Sequence, residues 1–393
     1  MQRGREKKYR ILQKNIQDSA LNQLQMKREK ATTLYFGPQH PGITGNMMVR
    51  LKVEGDTIVN ARTEVGYLHR AFEKLAEKRN WIQTFTLMCR FCVPEPDPVE
   101  ASYARAVEKI AGIEIPERAK WIRVLILELA RISSLMLWHA GQGHSLGLYT
   151  MGQWSVGDRN YILDLFEELT GARIYHMYIM PGGVRKDFPE GFGDRVLRTM
   201  DYIESRLEDY DNLMFNNSIF QKRTQGVGYI SPEKVIERGV VGQPLRACGI
   251  KSDVRKDDPY EAYDKINFKV PVQTGGDIWA RALVRRAELR ESIKIVRQVI
   301  EKIPQGEIRV KLPNPHKWTV PAGDAYARTE SVRGEVGMYV VSDGGNKPRR
   351  VHFRGAAYVH AVTLLEDILK GANIADVSAI MNSLGTCPPE IER

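Results

Sequence analysis

The sequence predicts an α+β protein in which a helical bundle forms most of the core and small β regions lie toward the two ends. Three observations predict this class. Apolar residues recur at spacings of three and four through the middle of the chain. They alternate with polar residues in MVRLKVEGD, at 48–56. Finally, β-like runs such as GMYVVSDGG, at 337–345, return near the C-terminus.

These patterns divide the 393 residues into four regions. In chain order we expect a basic N-terminal arm at 1–31, an N-terminal β region at 32–65, a helical core at 66–303 with an irregular insertion at 240–275, and a C-terminal α/β region at 304–393 that ends in the Cys387 tail. The insertion is rich in Gly, Pro and Asp, which favour turns over regular elements.

The clearest helix is predicted over 116–139, because Pro116 suits a first helical turn and apolar residues recur behind it. Ser155 and Asp158 have the spacing of a capping box that would start a later helix, and Gly171 would end that helix. The other helices are predicted over 68–83, 97–112, 189–216, a short stretch capped by Ser231, 277–303, 356–370 and 374–383.

Composition and charge exclude several classes of protein. With 42% hydrophobic and 27% charged residues, the chain is typical of globular proteins and unlike disordered or fibrous ones. No apolar run approaches the ~18–20 residues of a membrane helix, and the N-terminus lacks the apolar core of a secretion signal. Much of the net charge of +10 lies in the arm, so we expect no nucleic-acid binding. The arm is either a solvated tail or a docking segment for an acidic subunit or membrane surface.

The cysteines are the first candidates for chemistry. Cys89 and Cys92 form a C-x-x-C pair, which can point two thiolates at one metal, exchange as a dithiol, or simply be two buried thiols. Cys387 lies seven residues from the C-terminus and can join them only through the fold. Cys248 is interpreted as a structural residue. Four cysteines are too few for a disulfide framework, so free thiols in a reducing compartment are expected.

Seven ordered blocks carry a resemblance to a known family. They are GPQHP at 37–41, GYLHRAFEKLAEKRNWIQ at 66–83, RVLILELARISS at 123–134, DLFEELTGARIYHMYIMPGGV at 164–184, LRACGIKSDVRKDDPY at 245–260, RAELRESIKIV at 286–296 and RTESVRGEVGMYVVSDGG at 328–345. Together they resemble the 49-kDa, or D, subunit of complex I and the large subunit of group 4 membrane-bound NiFe hydrogenases. The resemblance implies the hydrogenase large-subunit fold. It also implies a small partner subunit, like the B subunit of complex I, that carries a 4Fe-4S cluster at the interface.

The chain departs from both relatives at their active sites. The hydrogenases hold nickel and iron with four cysteines; Cys89, Cys92 and Cys387 match three of these, but Glu390 stands at the fourth position. Because a carboxylate is a harder ligand than a thiolate, we expect no intact NiFe centre; if a metal binds here, its ligands are Cys89, Cys92 and Cys387. The resemblance instead makes these four residues the catalytic candidates.

The quinone donors of complex I are also replaced. A His and a Tyr contact quinone there, whereas this chain has Thr44 and Val93 at the matching positions. His40 and Arg333 match loop motifs that either orient groups in the substrate pocket or brace turns.

Two further positions are matched to the surroundings of the partner's iron–sulfur cluster. Arg90 and His176 align with an Arg and a His beside it, where a positive charge favours thiolates and raises the potential of the cluster. The alternative interpretation of His176 is a core histidine with a satisfied hydrogen bond.

The remaining pattern of three thiols and one carboxylate is similar to that of the membrane-bound sulfane-sulfur reductases. This similarity predicts a peripheral subunit on the cytoplasmic face of the cell membrane that receives electrons from ferredoxin through the partner's cluster and reduces polysulfide. Further hydrophilic subunits and an ion-pumping, antiporter-like membrane arm are the expected partners. The alternatives are an NAD(P)H or ferredoxin:quinone oxidoreductase subunit, a true hydrogenase, and a structural subunit without its own active site.

Overall fold

The apolar periodicities of the sequence become helices packed between small antiparallel sheets in a computed structural model, which describes residues 31–39 and 46–393. Residues 1–30 of the predicted arm lie outside the described residues, as do His40 and Thr44 of the predicted substrate pocket.

The helices and strands are named here in chain order. The helices are α1 (Phe72–Ala76), α2 (Phe85–Met88), α3 (Asp97–Ala111), α4 (Glu117–Ser145), α5 (Tyr149–Thr170), α6 (Phe192–Tyr210), α7 (Ser218–Thr224), α8 (Pro232–Glu237), α9 (Gln243–Arg246), α10 (Val254–Asp257), α11 (Ile278–Lys302), α12 (Ala356–Tyr358), α13 (Leu365–Leu369), α14 (Val377–Leu384) and α15 (Pro388–Glu392). The strands are β1 (Thr32–Phe36), β2 (Met48–Glu54), β3 (Thr57–Glu64), β4 (Ile179–Met180), β5 (Gly183–Val184), β6 (Ala322–Ser331), β7 (Gly334–Asp343) and β8 (Arg350–Arg354). Single π-helical turns follow α6 and α12, at Asp211–Phe215 and Val359–Leu364.

The N-terminal sheet has the antiparallel order β1-β2-β3. Its register places Leu51 opposite Leu34 on one side and Ala61 on the other. Val49, Leu51 and Val53 are buried, as their alternation with charged residues predicts. The sheet therefore buries one face of β2 against the rest of the protein.

The C-terminal sheet has the antiparallel order β6-β7-β8, and α3 packs against β6 and β7. Strands β6 and β7 form a long hairpin whose register closes on the pair Ser331–Gly334. The two-residue turn between these strands is Val332–Arg333. This turn matters for the site, because it projects Arg333 from the end of the hairpin into the interior, where the residue is only 7% exposed.

Helix α4 lies at the centre of the molecule, in contact with α5, α11 and α14. Its 29 residues span about 44 Å at ~1.5 Å per residue. Beyond its first turn its charged residues Arg123, Glu128 and Arg131 are buried; for example, Arg123 is paired with Glu108 at 2.6 Å and with Glu261 at 3.0 Å. A helix buried on all sides forms the interior of a larger bundle. None of the helices described in the structure is long and apolar enough to cross a membrane.

The class of the fold is α+β with a dominant helical core, as predicted, but two local predictions are wrong. Residues 68–83 do not form one helix: only α1 is regular, and Asn80 starts a new turn by accepting the N–H of Gln83 on Oδ1. Ser155 does not cap a helix, because α5 already begins at Tyr149 and the Ser155 hydroxyl donates back to the Gly152 carbonyl. The C-cap at Gly171, with φ of 83°, is confirmed.

Candidate active site

The segment that carries the early cysteines leaves a short helix and is held in place by aromatic packing. Cys89 is the C-cap residue of α2, and Cys92 follows three residues later. Between them, the ring of Phe91 packs 5.4 Å from that of Phe72 and 4.9 Å from that of Phe353 on β8. This packing fixes the turn, and both thiols are buried.

The late cysteine is positioned by the last turn of the chain. Helix α14 ends at Gly385, whose φ of 69° suits glycine, and Cys387 then serves as the N-cap of α15. Pro388 occupies the first turn, where its missing N–H costs nothing. The amide of Glu390 donates to the Cys387 carbonyl at 3.0 Å. The tail is therefore an ordered, buried helix start.

Two segments that are far apart in the sequence meet at Cys92 and Cys387. The sulfur atoms of Cys92 and Cys387 and a carboxylate oxygen of Glu390 all lie within 4.8 Å of one another, and all three residues are buried. We call these three residues the thiol–carboxylate cluster. Cys89, the fourth residue predicted to be catalytic, is outside that group.

Arg333 connects the members of the cluster. Its Nη1 donates to the Cys92 sulfur at 3.2 Å and lies 3.8 Å from a Glu390 oxygen. On the other side it lies 3.9 Å from Glu95, whose other contact is the amide of Val332 at 2.7 Å. A buried guanidinium between two carboxyl groups and a sulfur favours negative charge on the thiol pair.

The two thiols of the cluster differ in acidity. A hydrogen bond from the Cys92 thiol lowers the pKa of Cys387 to about 7, and Arg333 acts in the same direction. Burial raises the pKa of Cys92 well above its usual range, and its hydrogen bond with Cys387 adds to the effect. Near neutral pH Cys92 therefore keeps its proton, while Cys387 is partly ionised. The thiolate is the reactive form of cysteine.

Glu390 is held as a buried acid beside this pair. Its Oε1 accepts the amide of Ala357 at 2.9 Å, at the start of α12. Burial raises the pKa of the Glu390 carboxyl above its ordinary value, although Arg333 opposes the shift. Gly355 leaves room for it, since a Cβ there would lie 2.8 Å from Cγ and Oε1 of Glu390.

Cys89 has a different environment. Nη1 of Arg90 donates to the Cys89 sulfur at 3.1 Å and to the Thr86 carbonyl at 2.6 Å, while its guanidinium lies over the ring of Tyr175. The sequence led us to expect that Arg90 would favour the thiolate. Burial outweighs that charge and raises the pKa of Cys89 to about 12, so its thiol stays protonated. Cys89 is thus less suited to nucleophilic attack than Cys387.

His176 is buried against Asp97 rather than near the thiol–carboxylate cluster. Its Nδ1 lies 2.9 Å from Oδ1 of Asp97, and its ring stacks on Phe166 with centroids 3.9 Å apart. Burial alone would lower the pKa of His176, but the Asp97 carboxylate more than reverses this, so the net shift is upward. The residue is therefore poised to carry a positive charge in the interior.

The structure describes two of the four residues of the predicted substrate pocket, Val93 and Arg333. Val93 is 37% exposed, and a valine side chain has no group that could bond a quinone. His40 and Thr44 lie outside the described residues. Of the two described residues, Arg333 contacts the cluster through its hydrogen bond to the Cys92 sulfur.

Sequence reasoning missed three buried acids that organise this region: Glu95, Asp97 and Glu100. Burial raises the pKa of Glu95 and of Glu100 to about 8 in each case. Glu100 accepts the amides of Met177 and Tyr178 at 2.8 and 3.0 Å and so holds the His176 segment. One signal was available, because both Cys92 and Cys387 begin the pattern C-x-P-E.

The donors of the cluster do not match a four-thiolate nickel–iron site. Two thiols and one carboxyl converge, the carboxyl is already held by a backbone amide, and Arg333 lies against the donors. A guanidinium within hydrogen-bonding distance of a ligand sulfur competes with a cation for that sulfur. The arrangement instead suits chemistry carried out by the sulfur atoms themselves.

Comparisons with known proteins agree with this architecture. The family model described as the respiratory-chain NADH dehydrogenase 49 kDa subunit matches residues 145–319 and 310–393. The D subunit of the NADH-quinone oxidoreductase of Thermosipho melanesiensis is 50% identical over 362 residues, which cover 92% of this chain and 99% of that protein. The D subunit of the F(420)H(2) dehydrogenase of Methanosarcina mazei is 38% identical over 364 residues, covering 92% of this chain and 97% of that protein.

Among solved structures, the chain is similar to one from the membrane-bound sulfane sulfur reductase, described as an archaeal respiratory membrane complex. The TM-score is 0.90 with 46% sequence identity, and the match covers 93% of this chain and 99% of that chain. The similarity therefore extends over nearly the whole fold.

Proposed function

Because the chain belongs to the family of respiratory-chain NADH dehydrogenase 49 kDa subunits, we propose that it is the catalytic subunit of a membrane respiratory complex that reduces sulfane sulfur. The observation that carries the proposal is the buried contact between Cys92 and Cys387 beside Arg333. A cysteine that ionises near neutral pH, beside one that keeps its proton, provides both a nucleophile and a resolving group, which is what cleavage of a sulfur–sulfur bond requires. The similar fold of a sulfane sulfur reductase chain supports the same interpretation.

The first step is attack by the Cys387 thiolate on a sulfur of the polysulfide. A new S–S bond forms to Cys387, one S–S bond of the chain breaks, and a polysulfide dianion shorter by one sulfur leaves, so that Cys387 becomes a persulfide anion. The lowered pKa of Cys387 makes the attacking thiolate available at neutral pH.

The second step uses the proton that Cys92 retains. The Cys92 sulfur attacks the Cys387 sulfur, the persulfide bond breaks, and the Cys92 proton leaves with the terminal sulfur as hydrosulfide. The result is a Cys92–Cys387 disulfide. Two electrons and one proton then restore one thiol and one thiolate, so each cycle converts a polysulfide, two electrons and a proton into a shorter polysulfide and hydrosulfide.

Glu390 is proposed to return the proton to the pair. It is buried within 4.8 Å of both sulfurs, and its raised pKa lets it hold a proton closer to neutral pH than an exposed carboxyl does. Arg333 balances the negative charge that accumulates when the disulfide is reduced.

The electrons require partners. We propose an adjacent small subunit with a 4Fe-4S cluster on the side of Arg90 and His176, with ferredoxin as the donor, on the cytoplasmic face of the membrane. Such a cluster would supply electrons one at a time to the disulfide. Further hydrophilic subunits and an ion-pumping membrane arm complete the proposed assembly, as expected for a respiratory membrane complex.

A quinone reductase is the second candidate, because curated relatives at up to 50% identity are named as D subunits of NADH-quinone oxidoreductases. Val93 argues against it, since this position lacks a hydrogen-bonding group. Inhibitor-sensitive quinone turnover by the intact complex would favour this candidate over sulfane reduction.

The proposal is tested with single serine variants in the intact complex. Cys92→Ser and Cys387→Ser should each abolish polysulfide-dependent oxidation of reduced ferredoxin, because either change removes the disulfide. Cys248→Ser is the matched control: Cys248 is also buried, but it bonds the Ile230 carbonyl and is outside the thiol–carboxylate cluster, so we expect near-normal turnover. Polysulfide turnover that survives Cys387→Ser would refute the proposal.

A further inference from the structure

A cavity of about 300 Å³ opens directly behind the thiol–carboxylate cluster. It lies between the central helix α4, the start of α9, helix α11, the β6–β7 turn and the end of α14. Arg333 lines it, and so does Thr386, the residue next to Cys387. Its volume is at the lower end of the ~300–1,000 Å³ usual for small-ligand pockets. None of the three cluster residues lines the cavity itself, which adjoins the cluster through Arg333 and Thr386.

The cavity contains a buried cation that lacks a counter-ion. Arg285, on α11, is 2% exposed and lines the cavity, yet it forms no salt bridge with any residue in the described part of the chain. Its Nη1 has no hydrogen-bond partner there. The contact that the structure does provide is the face of the Trp138 ring, 4.6 Å from the guanidinium carbon.

Other buried arginines of this protein have the polar partners that Arg285 lacks. The buried Arg246 is paired with Glu288 at 2.6 Å and Glu330 at 2.9 Å. Arg281, which is also buried and without an ion pair among the described residues, donates instead to the Ser383 hydroxyl and to two backbone carbonyls. Arg285 differs: burial lowers its pKa to about 9, Glu288 only partly opposes the shift, and Arg333 is among the neighbouring cations that add to it. A buried positive charge without a partner is costly, and an anion in the cavity would remove that cost.

The second cation of the cavity is also incompletely bonded. The Nε atom of Arg333 has no partner among the described residues, although its Nη1 contacts Cys92. Gly385 keeps the space between the two arginines open, because a Cβ at that position would lie 3.3 Å from Nη2 of Arg285 and 3.6 Å from Cγ of Arg333. Both cations therefore border one space beside Cys387.

The walls between these cations are largely apolar. Leu137, Ala140 and Val332 line the cavity together with the Trp138 ring. A ligand that fits must be anionic and otherwise soft and weakly hydrated. Inorganic polysulfide has this character, because its charge lies toward the ends of a chain of polarisable sulfur atoms.

We propose that this cavity binds the anionic sulfur chain of the substrate, with Arg285 and Arg333 neutralising its charge while one end reaches Cys387. The proposal deepens the proposed function and rests on it only for the identity of the substrate. Arg285 is assigned as a substrate-binding residue that the thiol chemistry itself does not require.

The test compares a charged with a neutral sulfane substrate in the intact complex, using reduced methyl viologen as electron donor. Arg285→Gln should raise KM for inorganic tetrasulfide about tenfold, the effect of losing one charge-assisted contact, while KM for a neutral dialkyl trisulfide stays within about twofold. Arg285→Lys should recover part of the loss. Arg198→Gln, which removes an exposed arginine of α6, is the control and should change neither constant. Equal effects on both substrates would overturn the proposal.

A structural readout separates this cavity from the thiol chemistry. Thiocyanate is a soft linear anion that does not need reduction, so the complex can be imaged with and without it. We expect density between Arg285 and Arg333 that disappears in Arg285→Gln, whose fold should persist because no ion pair is broken. If the wild-type cavity holds only water, the anion site is wrong. If thiocyanate binds but no sulfane is reduced, the proposed function fails and the anion site stands.

Discussion

The Nη1 atom of Arg333 lies 3.2 Å from the sulfur of Cys92, which brings the tip of the β6–β7 hairpin into contact with the C-x-x-C segment. This contact joins a buried cation to a thiol pair drawn from two segments that are far apart in the sequence. The reactivity of the pair should therefore depend on the hairpin as much as on the cysteines.

Arg333→Gln should weaken the anionic form of the pair. Removing the cation raises the pKa of Cys387, because Arg333 contributes to its lowered value. We expect the acidic limb of the rate–pH profile to move upward by about one unit or more, and turnover at pH 7 to fall about tenfold. The acidic limb of Arg333→Lys should lie between those of the wild type and of Arg333→Gln. The profile of polysulfide turnover from pH 5.5 to 9 gives the measurement, and superimposable profiles would contradict the assignment.

The hydrogen bond between the thiols gives a second prediction. Because the Cys92 thiol lowers the pKa of Cys387 to about 7, Cys92→Ala should return that pKa toward the ordinary value of 9.0. Cys387 is thus more reactive below pH 9 in the wild type than in the variant. The measurement is the rate of iodoacetamide labelling at Cys387 by mass spectrometry, as a function of pH.

The control for this titration is Cys89→Ala, which also removes a buried thiol of the same motif. Cys89 is outside the thiol–carboxylate cluster, so the pH dependence of Cys387 labelling should stay as in the wild type. A shift as large as that of Cys92→Ala would mean that the effect comes from loosened packing rather than from the hydrogen bond.

The elements of the fold were predictable where a single periodicity governs them. Helix α4 follows from apolar residues at three and four, and β2 from the alternation around Leu51. The segment at 68–83 has the same helical pattern but was predicted wrongly. There, Glu73 accepts the amide of Phe353 at 2.9 Å and bridges Arg350 at 3.3 Å, so contacts with β8 shape the chain beyond its local preference.

The candidate site was predictable in its residue types but not in its geometry. The motif around Cys89 and Cys92 stands out in the sequence, yet it does not show which of the two lies beside Cys387. That choice depends on the Phe91 packing and on the last helix turn, which are tertiary contacts. The unpaired Arg285 was equally hidden, because a charge on a long helix normally faces water or a partner.

Glu390 allows a prediction that separates stability from proton transfer. Glu390→Ala removes the acceptor for the buried amide of Ala357, which should cost about 1–3 kcal/mol of stability. Glu390→Gln keeps an oxygen acceptor of the same size, so we expect stability close to that of the wild type but slower turnover. The measurements are thermal unfolding of the purified complex and the turnover rate. Normal turnover by Glu390→Gln would exclude the proton-relay role.

A strong effect on folding should come from Arg246, one of the buried arginines that pair with two acids. Arg246 bridges Glu288 at 2.6 Å and Glu330 at 2.9 Å, and all three residues are at most 3% exposed. Arg246→Leu leaves two buried carboxyl groups without their cation, so we expect a loss of about 3–5 kcal/mol. Arg297→Leu breaks the surface pairs with Asp201 and Glu204 and should cost at most about 1 kcal/mol. Denaturant unfolding of the two variants, or their yields as assembled complex, measures the difference. Equal losses would show that the buried network does not stabilise the fold beyond an exposed ion pair.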